Sequence, residues 1–150
     1  MNPCPCGNAI SKNNVCNCSD KEIAKYKNVI SGPILDRIDI YCAMGEINDA
    51  DVPSYSSKQM SAMVLNAFKN QIERGQNELN GKLCDFDIAK FCTLENEATE
   101  ILSKAITNYH LSQRGRNKIL KVARTIADLR DAKFISKADI IESLSYRMKR

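Results

Sequence analysis

The sequence predicts a mainly α-helical protein in two parts, with a short irregular N-terminal part followed by a helical bundle. Three observations carry this reading. After residue 57 apolar residues recur at helical spacing almost without a break. A polar stretch over 46–57, with Asn48, Asp49, Asp51 and Pro53 among serines and tyrosines, reads as a linker, so the parts are expected to be 1–53 and 54–150. Four of the seven cysteines crowd into the first eighteen positions, in a segment without periodicity of either kind.

In chain order, Pro3, Pro5, Gly7 and scattered Asn and Ser make 1–19 an irregular loop. A short helix follows, capped by Ser19 or Asp20, with Glu22 in its first turn and Ile23, Tyr26, Lys27 and Ile30 at helical spacing. Ser31-Gly32-Pro33 is expected to break the chain, and Ile38, Ile40 and Cys42 then alternate with Asp39 and Tyr41 in a strand-like period of two. Met60, Met63, Val64, Ala67, Phe68 and Ile72 form the stripe of a helix over about 58–75, ended by Gly75 or by Asn80-Gly81. A short helix near 86–91 precedes one opening at Thr93, with Ala98, Ile101, Leu102, Ala105 and Ile106 as its apolar face. Ser112 caps the next, whose stripe is Ile119, Val122, Ala123, Ile126, Ala127 and Arg130. Ser136 with Asp139 three residues on resembles a capping box for a last helix through Ile140, Ile141 and Leu144.

Composition narrows the function classes. At 150 residues, 43% hydrophobic and 27% charged, the chain is ordinary globular material, not collagen, rod or disordered tail. No apolar run approaches the roughly 20 residues of a membrane span, and the first residues lack a signal-peptide pattern. An odd cysteine count fits a reducing compartment, so the expected location is the cytoplasm. Net charge is −1 over 1–50, −3 over 51–100 and +8 over 101–150, so a polyanion meets the last third first.

Cys4, Cys6, Cys16 and Cys18 form C-x-C-x9-C-x-C, four soft ligands on a turn-rich loop suited to tetrahedral zinc. One residue between paired cysteines is tighter than the usual two to four, so reduced thiols or an iron–sulfur cluster stay open as alternatives. Cys42, Cys84 and Cys92 sit among apolar neighbours and are expected in a core. Arg37, between Asp36 and Asp39, is either ion-paired internally or projected toward a phosphate. Arg114, Arg116, Lys118, Lys121, Arg124 and Arg130 face one acid, Asp128, over 112–130; Arg124 and Arg130 fall near the apolar stripe and are expected to serve packing and pairing. Arg114 stands out because a cation in the first turn of a helix is misplaced unless an anion shares the site. His110 has no catalytic partner in sequence and is expected in a loop or cap. The 150 residues contain no phosphate-binding G-x-x-x-x-G-K-[ST] loop and no strand ending in paired acids for magnesium.

"M-N-P-C-P-C-G", then "C-N-C" ahead of "Y-K-N-V-I-S-G-P-I-L-D-R-I-D-I", and later "L-S-Q-R-G-R-N-K-I-L-K-V-A-R-T-I-A-D-L" together resemble the C-terminal part of the magnesium-chelatase-like AAA+ ATPases of the ComM/YifB competence-protein family. The resemblance runs from Met1 to about Arg147 and is weakest over 46–92. It implies a partial α/β ATPase-core remnant with a cysteine-rich loop, then a helical lid. It also implies a longer parent whose Walker motifs lie upstream and which binds ATP and magnesium in a homo-oligomeric ring, expected to be a hexamer, acting on DNA by translocation or branch migration. By resemblance Asn2 matches the sensor-1 asparagine, Arg37 the arginine finger acting on the next subunit's ATP, and Arg114 the sensor-2 arginine of the lid. The family's cysteine pairs are intact in Cys4, Cys6, Cys16 and Cys18, with zinc as the implied ion. Gly115, a poor helix former, departs from the family pattern and predicts a lid helix that starts late, leaving Arg114 loose. Alternatives are a metal-chelatase motor subunit and a stand-alone zinc-containing nucleic-acid-binding module. This chain alone is expected to be without ATPase activity.

Overall fold

The computed structural model describes residues 1–35, 37–45, 47–48 and 50–147. Asp36 and Asp49, named above, lie outside the described residues. The chain divides into two compact units, Met1–Pro53 and Ser54–Arg150, with seven helices and no strand among the described residues.

In the first unit, α1 spans Asp20–Lys27. Ser19 starts it by reciprocal capping: its hydroxyl accepts the Glu22 N–H while its own N–H donates to the Glu22 carboxylate at 2.8 Å. Ser31-Gly32-Pro33 does not break the chain. It opens a single helical turn, α2 (Gly32–Leu35), because proline has no N–H to lose where that N–H would be unpaired. The Ile38–Cys42 alternation makes no strand. Period two creates a strand only where a neighbour takes its hydrogen bonds, and Ile38, Ile40 and Cys42 are all left exposed or partly so.

In the second unit, α3 runs Ser57–Glu73, α4 Asp85–Phe91, α5 Asn96–Asn108, α6 Gln113–Leu129 and α7 Lys137–Ser145. Gly75, at φ +77°, ends α3: its N–H donates to Ile72 and the Gln76 N–H to the Gln71 carbonyl, a closure that favours glycine. Helix α5 starts at Glu95 rather than Thr93. The Thr93 carbonyl is taken by the Ile135 N–H at 2.9 Å, and the Glu95 N–H donates back to Ile135, a lone parallel bridge that ties the two helix connections together. His110 adopts φ 47° beyond the end of α5, the expected cap role.

Helix α6 is the centre, packing against α3, α4, α7 and the turn at Asn80–Lys82, while α5 packs on α7. Ile119, Leu120, Ala123 and Ala127 sit in one core with Leu83, Ile88, Phe91, Ala98, Leu102, Ile135 and Ile140. Cys92 is in that core, but Cys84 and Cys42 are exposed, against expectation. The α3 stripe is also corrected: Ala67 and Gln71 are buried, whereas Met60, Val64, Phe68 and Ile72 are not.

Buried charge fixes α3 to α6. Asp128 accepts from Arg74 Nη1 and Nη2 at 2.9 and 2.8 Å, from Arg124 Nε at 3.1 Å and from Asn80 Nδ2 at 2.7 Å. Arg124 is fully buried and also donates through Nη1 to the Lys133 carbonyl and through Nη2 to the Ala132 carbonyl. Burial holds its pKa below the ordinary guanidinium value, with Asp128 pulling the other way.

Candidate functional site: a cysteine loop and the exposed arginines

The loop of residues 1–18 is shaped by turns that gather sulfur. The Gly7 N–H donates to the Cys4 carbonyl at 3.1 Å, and Gly7 sits at φ +85°, where any side chain would be strained. The turn brings Cys4 Sγ within 3.3 Å of Cys6 Sγ, and Cys16 Sγ lies 3.6 Å from each. All four sulfurs, Cys18 included, fall within 4.8 Å of one another. Four Zn–S bonds of about 2.3 Å at tetrahedral angles require sulfurs about 3.8 Å apart, so the donor set fits a single ion. The C-x-C spacing, read as too tight for that, is accommodated by the turn.

The thiols share protons unequally. The Asn8 backbone N–H, then the Cys4 thiol, lower Cys6 to about 6. Cys18 receives a lowering backbone contact at Cys6, but its side-chain contact with Cys6 and desolvation outweigh this and push it up to about 12. Cys16 is raised on balance, the lowering contact at Cys18 being outweighed by desolvation and by Cys6 and Cys4. Soft-metal binding by such a cluster requires the thiols to lose their protons.

Asn2 is exposed beside this loop; its Nδ2 lies 3.7 Å from where a Cβ on Gly7 would stand. Arg37 is exposed and donates through Nη1 to the Pro33 carbonyl at 3.1 Å, across α2. Of the two acids that flank it, Asp36 lies outside the described residues.

In the second unit Ser112 caps α6 by accepting the Gly115 N–H at 3.1 Å, so the helix begins before Gly115, not after it. Arg114 therefore projects from a formed first turn and is exposed. Sequence reasoning missed Arg147, whose Nη1 lies 3.8 Å from the position a Cβ on Gly115 would take. The glycine, read only as a weak helix former, was the available signal. Arg124 and Arg130 serve pairing as expected, Arg130 binding Asp139 through Nε and Nη2 at 2.9 and 2.6 Å. The structure gathers the four cysteines and sets Asn2 beside them; Arg37 and Arg114 lie in different units.

The chain belongs to the magnesium chelatase family: the model described as magnesium chelatase, subunit ChlI C-terminal, matches residues 54–147, and that described as magnesium chelatase, subunit ChlI, matches residues 1–52. It is 36% identical to the uncharacterised protein YifB of Escherichia coli, over 98% of this chain and 29% of that protein. It is 34% identical, over the same shares, to the competence protein ComM of Haemophilus influenzae, and 28% identical to an uncharacterised protein of Mycobacterium bovis over 97% of this chain and 30% of that protein. The chain thus spans under a third of the length of these relatives. None of the described helices is long and apolar enough to cross a membrane.

Proposed function

We propose that this chain supplies the C-terminal part of a magnesium-chelatase-like AAA+ ATPase that binds and hydrolyses ATP with magnesium in a cytoplasmic, homo-oligomeric ring of six subunits. In this reading Arg114 meets the nucleotide phosphates from the lid, Arg37 enters the next subunit's site and stabilises transition-state charge, and Asn2 orients the attacking water. Cys4, Cys6, Cys16 and Cys18 hold one zinc ion, which closes the loop and fixes Asn2 beside it. The motor's substrate is DNA, moved by translocation or branch migration; similarity to a protein named for competence supports this.

One contrast carries the reading. In the second unit Arg74, Arg124 and Arg130 are each bound to a buried aspartate. Arg114 instead stands exposed at the positive end of α6, with no hydrogen bond or ion pair from its side chain among the described residues. An anion from outside the chain relieves that placement. The test is ATP turnover by the full-length protein. Arg37→Ala is expected to lower it about 10³-fold, and Arg114→Ala to lower it clearly, with subunits still assembled. Unchanged turnover in both variants refutes the assignment. The 150-residue chain by itself is expected to hydrolyse no ATP.

A metal-chelatase motor subunit is the second reading, favoured by the description of the matching family model. Stimulation of turnover by DNA separates the two, since a chelatase motor has no use for it.

A further inference from the structure

The first unit is built around sulfur. Among the described residues of Met1–Pro53, Cys4 is the only buried one. The apolar side chains of the cysteine loop lie outside, Ile10 58% and Val15 82% exposed. Helices α1 and α2 are shorter than an isolated helix needs to persist in water. A unit of this size without an apolar core needs a staple, and the four clustered sulfurs are placed to provide one.

The same four cysteines differ in access. Cys4 is fully buried, Cys16 and Cys18 are half-buried, and Cys6 is exposed. An oxidant arriving from solvent therefore meets Cys6 first. Two sulfurs stand near it, Cys4 at 3.3 Å and Cys16 at 3.6 Å. Cys4 is sealed from solvent and would close a strained ring across a single residue, whereas the Gly7–Val15 loop lets Cys16 reach disulfide geometry.

We propose that the cysteine loop is a peroxide-sensitive switch, in which Cys6 and Cys16 join in a disulfide, the metal is lost and the first unit loses its order. This rests on the reading of the four cysteines as a metal site. The Cys6 thiolate attacks one oxygen of hydrogen peroxide; an S–O bond forms, the O–O bond breaks and hydroxide leaves, giving a sulfenic acid. The Cys16 thiolate then attacks the Cys6 sulfur, an S–S bond forms, the S–O bond breaks and a second hydroxide leaves. The sulfurs together give up two electrons, and the peroxide takes them. Cys4 and Cys18 remain, too few for a tetrahedral set. Metal binding that orders a unit is part of its folding free energy, so its loss releases the segment that carries Asn2 and Arg37. A thiol reductant and zinc reverse the change.

The test uses the whole chain loaded with zinc. Hydrogen peroxide is expected to release about one zinc per chain, read with a chromogenic chelator, and dithiothreitol with added zinc to restore it. Trypsin cuts after Lys12 and Lys21, so the expected bridge joins the peptides Met1–Lys12 and Asn13–Lys21 in mass spectrometry, with fragmentation placing it at Cys6 and Cys16. Amide resonances of the first unit are expected to collapse toward unfolded shifts as zinc leaves. Those of the second unit, which has its own core, are expected to stay in place. The double variant Cys42→Ser/Cys84→Ser removes the exposed thiols outside the loop and is expected to release zinc at the same rate. A chain that keeps its zinc under peroxide, a bridge confined to Met1–Lys12, first-unit resonances that stay dispersed after release, or release abolished in the double variant overturns the switch and leaves the metal site standing. A chain purified without chelators that contains no zinc overturns the metal site and the switch with it.

Discussion

Replacing Asp128 with alanine is expected to be among the most damaging single substitutions in the second unit. The carboxylate is almost wholly buried and receives both terminal nitrogens of Arg74, Nε of Arg124 and the side-chain amide of Asn80. Its loss leaves the Arg124 guanidinium buried with only backbone carbonyls for partners. Breaking a buried pair from one side costs about 3–5 kcal/mol, a large share of the roughly 5–15 kcal/mol that holds a domain of this size together. With about 4–8 °C of melting temperature per kcal/mol, Asp128→Ala is expected to melt at least ~12 °C below the parent in far-UV circular dichroism at pH 7. The control is the triple variant Arg74→Met, Arg124→Met, Asp128→Leu. It removes both charges and the acid together, and is expected to be more stable than Asp128→Ala despite carrying more changes. A fall under about 3 °C for the single variant, or a triple variant less stable than the single one, refutes the claim that uncompensated buried charge sets the cost.

Protein purified without chelators is expected to contain about one zinc per chain, and Cys4→Ser or Cys18→Ser to lose most of it, by elemental analysis; metal-free wild type refutes the site. The Asp139 carboxyl is raised by burial, but the Arg130 guanidinium and Ser136 outweigh this and hold it below the ordinary carboxylate range. A depressed carboxyl contributes stability that is fully present above its unfolded pKa of about 4 and is lost as pH falls through the lower folded value. The melting-temperature gap between wild type and Asp139→Asn is therefore expected to be widest near neutral pH and to close in acid, and a gap independent of pH removes the pairing argument.

What the sequence made legible was local. Ser19 with Glu22, Ser112 at α6 and Ser136 with Asp139 cap helices through contacts three residues apart, a distance the chain itself enforces. Long-range choices were hidden. Periodicity reveals that α3 has apolar residues but not which flank meets α6, and that choice follows from Arg74 and Asn80 reaching Asp128 from 54 and 48 residues away. The cysteine site fell between these cases. Its four cysteines were evident from composition, while the turn at Gly7 that brings Cys4 and Cys6, separated by one residue, within 3.3 Å of each other is a matter of backbone geometry. The failed strand at Ile38–Cys42 has the same origin, since alternation is local and a pairing neighbour is not.

The arginines separate by what saturates them. A guanidinium has five N–H donors in a fixed plane, and Arg124, fully buried with Nε on Asp128 and its terminal nitrogens on the Lys133 and Ala132 carbonyls, presents nothing to a phosphate. Arg114 and Arg37 are exposed, and the contact seen for Arg37 is a single bond to a backbone carbonyl four residues back. Such a bond orients the side chain across α2. The fold thus uses Arg74, Arg124 and Arg130 to hold its helices together, each on a buried aspartate.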